Sequence, residues 1–126
     1  MQYQRLLEIA KALQPSYKDQ RHFHVTFILK NNKIMSIGVN NERKTHTRNL
    51  YYKYANAALK GTHAELSAII KLGEENCSGY TFLNIRIDKN GLVKNSKPCS
   101  GCQNLLRQVG YKTVYYSISG DSYAIL

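Results

Sequence analysis

The chain has 126 residues, 43% of them apolar, and carries a net charge of +10 from 18 Lys and Arg against 8 Asp and Glu. That length fits a single domain over residues 1–126 with a core of its own, and no apolar run reaches the length of a membrane-spanning helix. The charge makes a polyanionic partner reasonable, yet it equally suits a basic protein whose lysines keep it in solution or steer one phosphorylated metabolite.

Leu6, Leu7, Ile9, Ala10 and Leu13 recur at helical spacing and stop before Pro15, which predicts an amphipathic helix packed on one side of a sheet. Arg5, Glu8 and Lys11 interrupt this segment, so it lacks the apolar core of a signal peptide and a cytoplasmic location is expected. Residues 22–39 alternate β-branched and aromatic side chains around Asn31-Asn32, the pattern of a hairpin. From Asn40 to Lys60 the chain turns polar, basic and rich in tyrosine. Long connections of this kind are often functional.

Thr62 reads as a helix N-cap, with Glu65 at capping-box spacing ahead of Leu66, Ala68, Ile69, Ile70 and Leu72. That helix ends near Gly73. Tyr80–Ile87 is strand-like, and the turn signal at Lys89-Asn90-Gly91 lets the chain fold back before Asn95-Ser96-Lys97-Pro98-Cys99. Pro98 suits the first turn of a helix that runs to about Val109 and ends at Gly110. Thr113–Ile118 is a further strand, and a Gly-Asp turn leads into a short last one, Tyr123–Leu126. Strands alternating with helices predict an α/β sandwich in which one mixed five-stranded sheet lies between helical layers.

Three cysteines are an odd number, and Cys99 and Cys102 form a Cys-x-x-Cys pair, so metal binding is a better reading than a disulfide framework. Cys77 reads as a spare buried thiol. The two paired cysteines are placed at a helix start, whose positive end favours thiolate and metal coordination. His63, at the start of the other helix, completes a three-ligand set. Three protein ligands leave a fourth tetrahedral position for water, the catalytic rather than the structural arrangement of zinc. Cys77 or His46 could close the set and make it structural, although neither has a typical paired-ligand spacing. Glu65 is a residue that a structural zinc knuckle would not require; its side chain is open to two roles, capping and proton transfer.

His63-Ala64-Glu65 followed by Pro98-Cys99-x-x-Cys102 resembles the cytidine deaminase superfamily, with its H-x-E…P-C-x-x-C signature. The resemblance extends to the order of elements and to Gly38-Val39-Asn40, which is similar to a strand-end motif with a ribose-contacting Asn. It implies a three-layer deaminase-like fold, one Zn²⁺ per chain on His63, Cys99 and Cys102, and Glu65 as the catalytic proton shuttle in hydrolysis of cytosine or, less favoured, adenine. Asn40, His46, Thr47, Ala64 and Pro98 are then the candidate substrate contacts. An antiparallel C-terminal strand resembles the nucleoside and toxin deaminase branches, while the segment leading into Lys97-Pro98-Cys99 looks like phage-type members. Gln103-Asn104 departs from the Arg-Gln that usually follows the paired cysteines of the nucleoside enzymes.

Arg43, Lys44, Arg48, Lys53 and Lys60 oppose only Glu42 in the long loop, with Tyr51, Tyr52 and Tyr54 among them. Cations interleaved with rings suit a single strand of nucleic acid, where phosphates are neutralised and bases stack. A second basic group, Arg86, Lys89, Lys94 and Lys97, is expected to run toward the same site. The tyrosines could instead be core or oligomer contacts and the lysines a solvated face. Three functions follow: deamination of cytosine in single-stranded DNA or RNA, deamination of free cytidine, deoxycytidine or the monophosphate, and an inactive zinc-stabilised module that binds nucleic acid.

Overall fold

The computed structural model describes residues 1–42 and 61–126. It contains α1 (Tyr3–Leu13), a 3₁₀ turn (Gln14–Tyr17), β1 (Phe23–Lys30), β2 (Lys33–Val39), α2 (Ala64–Leu72), β3 (Thr81–Ile87), β4 (Val93–Lys94), α3 (Ser100–Val109), β5 (Thr113–Ser119) and β6 (Ser122–Ile125). The sheet runs β2-β1-β3-β5-β6, with β4 paired to β3 off this path. Among the described residues only β3 and β5 are parallel, joined through α3; the other pairs are antiparallel, including the terminal β5–β6 hairpin. The expected five strands are all present. The sixth, β4, arises because the turn after β3 is tight: Asp88 Oδ1 accepts from the backbone N–H groups of Asn90 and Leu92, returning two residues to the edge of β3.

The β1–β2 turn is built as its residues require, with Asn31 at φ 53° and Asn32 at φ 63°. Two successive left-handed residues give the primed turn that matches strand twist, and asparagine tolerates that conformation.

Alternation then divides the core. Phe23, Val25, Phe27 and Leu29 of β1 and Leu83, Ile85 and Ile87 of β3 pack with Leu6, Leu7 and Ala10 of α1. Ile28 of β1 and Phe82 of β3 lie on the opposite face, against Leu66 and Ile69 of α2 and Leu105 and Leu106 of α3. Period-two strands buried on both faces account for the nearly continuous apolar runs in β1 and β3. Gly38 sets how closely α2 approaches the sheet, because a Cβ there would overlap the backbone of Ala64 and Ala68. No helix among the described residues is long and apolar enough to cross a membrane.

Candidate metal centre and active site

Two helix starts meet over the face of β3 that carries Asn84. α2 begins one residue later than its sequence suggests. Thr62 is extended, exchanging both backbone hydrogen bonds with Asn41 at 2.8 and 2.7 Å, so His63 rather than Thr62 is the N-cap. The His63 side chain makes no capping bond and turns toward the cysteines instead. α3 is capped in turn by Cys99, whose Sγ accepts from the Cys102 N–H at 3.4 Å. Pro98 therefore precedes the cap instead of occupying the first helical turn, and its carbonyl accepts from Gln103 Nε2.

His63 Nδ1 lies 3.2 Å from Cys102 Sγ and 3.8 Å from Cys99 Sγ, and the three donor atoms all fall within 4.8 Å of one another. Tetrahedral zinc with bonds of about 2.05 Å to nitrogen and 2.3 Å to sulfur separates such atoms by about 3.6 Å. The observed spacings bracket that value, so the donor set fits the ion by both type and spacing. Cys77 is fully buried in the core between α2 and α3, apart from this group. Hydrogen bonding from Cys102 and then His63 pulls Cys99 down to about 3, whereas the bond to Cys99 and burial push Cys102 up, and the bond to Cys99 raises His63. These shifts favour the thiolate at Cys99, the form that binds a cation.

Glu65 is 7% exposed. Its Oε2 accepts from Asn84 Nδ2 at 2.9 Å, and the other end of the same amide accepts from Thr26 Oγ1 at 2.6 Å. Thr26 and Asn84 are direct partners across β1 and β3, so the sheet itself holds the carboxylate. Burial raises the Glu65 carboxyl, opposed by its own backbone N–H, His63 and Asn84. The capping-box role is absent: Asn84, not the Thr62 backbone, receives this side chain.

A second polar lock positions Cys99. Ser96 Oγ donates to the Asn84 carbonyl at 2.7 Å and accepts from Ser117 N–H at 2.7 Å, while Ser117 Oγ donates to the Lys94 carbonyl at 2.8 Å. Residues 94–96 are thereby wedged between β3 and β5, aiming the next turn of chain at His63.

These groups border a cavity of about 250 Å³ lined by His22, His24, Asn40, Asn41, Glu42, Thr62, His63, Ala64, Glu65, Ser96, Lys97, Pro98 and Cys99. The sequence-derived candidates Asn40, Ala64 and Pro98 are among them. The Asn40 amide is also committed to the fold, accepting from His24 N–H and donating to the His22 carbonyl, both at 3.0 Å. His46, Thr47, Arg43, Lys44, Arg48, Tyr51, Tyr52, Lys53, Tyr54 and Lys60 lie outside the described residues. The second basic group divides. Lys97 lines the cavity and Arg86 lies on the site's face of β3, but Lys94 turns to Asp88 at 3.8 Å and Lys89 borders a different depression beside the 3₁₀ turn. Antiparallel return of β4 is the cause. Thr26, Asn84, Ser96, His22 and His24 were missed as site residues; a lone Asn inside the apolar strand Phe82-Leu83-Asn84-Ile85 was the available signal.

The family model for the cytidine and deoxycytidylate deaminase zinc-binding region matches residues 1–118. The chain belongs to this family. No curated protein matches it. The deaminase match spans every element through most of β5 and stops before β6. Together with the His63, Cys99 and Cys102 donor set it makes the chain a zinc-dependent deaminase with one Zn²⁺, and among the described residues no other group could hold a metal in this way.

Proposed function

We propose that the domain converts cytosine and water to uracil and ammonia, acting on cytosine in a single strand of DNA or RNA. The observation that carries the chemistry is the buried Glu65 carboxylate, held by Asn84 beside the His63–Cys99–Cys102 group and opening on the same cavity. Zinc held by that group would supply an acidified water, making hydroxide available near neutral pH. Glu65 takes the proton released by the attacking water, delivers it to N3 of the ring, and then assists protonation of the departing ammonia. The Ala64 N–H, at the first position of α2 and without an intrahelical partner, is a donor for a polar edge of the base. Asn84 and Thr26 fix the carboxylate so that it need not reorganise between the two transfers.

Support for a polynucleotide comes from the composition of residues 43–60, where Arg43, Lys44, Arg48, Lys53 and Lys60 alternate with Tyr51, Tyr52 and Tyr54. One observation favours a second reading, deamination of free cytidine, deoxycytidine or the monophosphate: the antiparallel β5–β6 hairpin is similar to the nucleoside branch. A buried, doubly supported Glu65 has no use in an inactive binding module. Incubation of the zinc-loaded protein with cytidine, dCMP, single-stranded DNA and single-stranded RNA, with uracil as the readout, separates these. Replacing Arg43, Lys44 and Arg48 with Ser should weaken oligonucleotide binding and flatten its salt dependence while leaving turnover of free cytidine intact. Efficient turnover of cytidine or dCMP with none on oligonucleotides at low salt would overturn the polynucleotide reading.

A further inference from the structure

The β1–β3 ladder presents a graded series of rungs on the face that carries α2 and α3. Ile28 with Phe82 is core; Thr26 with Asn84 holds Glu65; His24 with Arg86 comes next, and His22 follows on the same side of β1. Successive rungs on one face are about 7 Å apart. The polar series therefore leads out from the carboxylate along the cavity, which His22, His24 and Lys97 line.

Arg86 is half-buried in this series, and its charge has no carboxylate in ion-pair contact among the described residues. Its Nε is buried with no hydrogen-bond partner, and Nη2 makes a single 3.4 Å contact with His22 Nδ1. Buried guanidinium donors are ordinarily matched by acceptors. Because arginine only donates, His22 Nδ1 must accept, which puts the ring proton on Nε2 and makes that edge a donor. Burial, then Arg86, His22 and His63, lower His24 to about 4, so the local positive field comes from Arg86 rather than from this ring. Two acids stand near the cluster: Glu42, whose Oε1 is occupied by the backbone N–H groups of Arg21 and His22, and Asp88, which feels the Arg86 charge but is engaged by the Asn90 and Leu92 N–H groups and by Lys94.

On the deaminase reading above, we infer that Arg86, with His22 and Lys97, forms a subsite for a phosphate of the substrate, one sugar away from the base at Glu65. His22 and Lys97 line the cavity and Arg86 stands behind His22 at 3.4 Å, so a guanidinium, a ring N–H and an exposed ammonium are gathered on one side of it, the donors that phosphate oxygens require. The subsite belongs to cytosine-bearing substrates with a phosphate, whether a free nucleotide or a strand.

The test compares zinc-loaded parent, Arg86→Gln and His22→Ala on cytidine, CMP and an oligonucleotide with one cytosine. Binding of CMP and cytidine to zinc-loaded Glu65→Ala, with and without Arg86→Gln, is measured alongside. Arg86→Gln should lower kcat/KM for a phosphorylated substrate roughly ten- to a hundredfold, mainly through KM, the loss expected for one charge-assisted bond to an anion. Turnover of cytidine should hold within about twofold over the same change. Selective loss with CMP assigns a nucleotide phosphate; selective loss with the oligonucleotide alone assigns a flanking diester; either supports the subsite. Equal losses on all three substrates would mean a purely structural role, and no loss on any would mean no role, so both overturn it. Should Arg86→Gln fail to fold, the exposed His22→Ala carries the same comparison, and equal behaviour of cytidine and phosphorylated substrates there overturns it. A parent that deaminates nothing defeats the deaminase reading alone, since preferential binding of CMP over cytidine by Glu65→Ala still decides the subsite.

Discussion

Replacing Glu65 in two ways separates its chemical role from its structural one. Glu65→Gln keeps an oxygen where Asn84 Nδ2 donates at 2.9 Å, so the Thr26–Asn84 rung stays satisfied and the fold should be retained. Glu65→Ala strands that donor at a position only 5% exposed and removes one buried methylene together with the carboxylate. An unpaired buried donor costs about 1–3 kcal/mol and a methylene about 0.8 kcal/mol, offset in part by release of a buried carboxylate. The Ala variant should therefore unfold about 1–3 kcal/mol more easily than the Gln variant in urea. Activity should not follow that order. Neither side chain can shuttle a proton, so both should lose at least about a hundredfold in kcat, equivalent to about 2.7 kcal/mol of transition-state stabilisation. Both should keep one zinc, measured by elemental analysis, because the carboxylate moves protons and does not hold the metal. A Gln variant within about tenfold of the parent would show that another group does the proton transfer. Loss of zinc from it would make Glu65 a ligand.

The parent should contain one zinc per chain, and Cys102→Ser should release it and lower stability, because the ion ties two helix starts together; full occupancy in a folded Cys99→Ser, Cys102→Ser double variant would contradict the site. His24, depressed from 6.5 to about 4 chiefly by burial, is neutral in the fold. Its contribution is complete above pH 6.5 and is lost as pH falls toward 4, by at most about 3 kcal/mol, so His24→Gln should flatten unfolding free energy across that window. Gly38→Ala should push α2 from the sheet, costing about 1–3 kcal/mol and lowering turnover by displacing His63 and Glu65; unchanged stability would show that α2 yields freely.

The sequence patterns that proved legible are those set within a few residues. Asn31-Asn32 encodes the hairpin because both residues tolerate positive φ, and Gly73 and Gly110 end their helices as expected. The metal ligands were visible because short spacing places Cys99 and Cys102 on one turn and His63 stands at another helix start. What escaped depends on long-range pairing. Thr26 and Asn84 are 58 residues apart, and nothing local says that their rung receives Glu65. Ser96 and Ser117 look like an ordinary loop residue and strand residue until the chain wedges one against the other. Thr62 has the composition of an N-cap, yet its backbone is taken by Asn41, and the helix starts a residue later.

Hydrolysis in heavy-oxygen water offers the most direct test. Zinc-loaded protein incubated in H₂¹⁸O with cytidine and with a single-cytosine oligonucleotide should yield uracil carrying one ¹⁸O on the base and one equivalent of ammonia, with no product after zinc is removed or Glu65 is replaced. Uracil without the label, product formation that survives loss of zinc, or no uracil from either substrate would contradict zinc-dependent hydrolytic deamination of cytosine at this site.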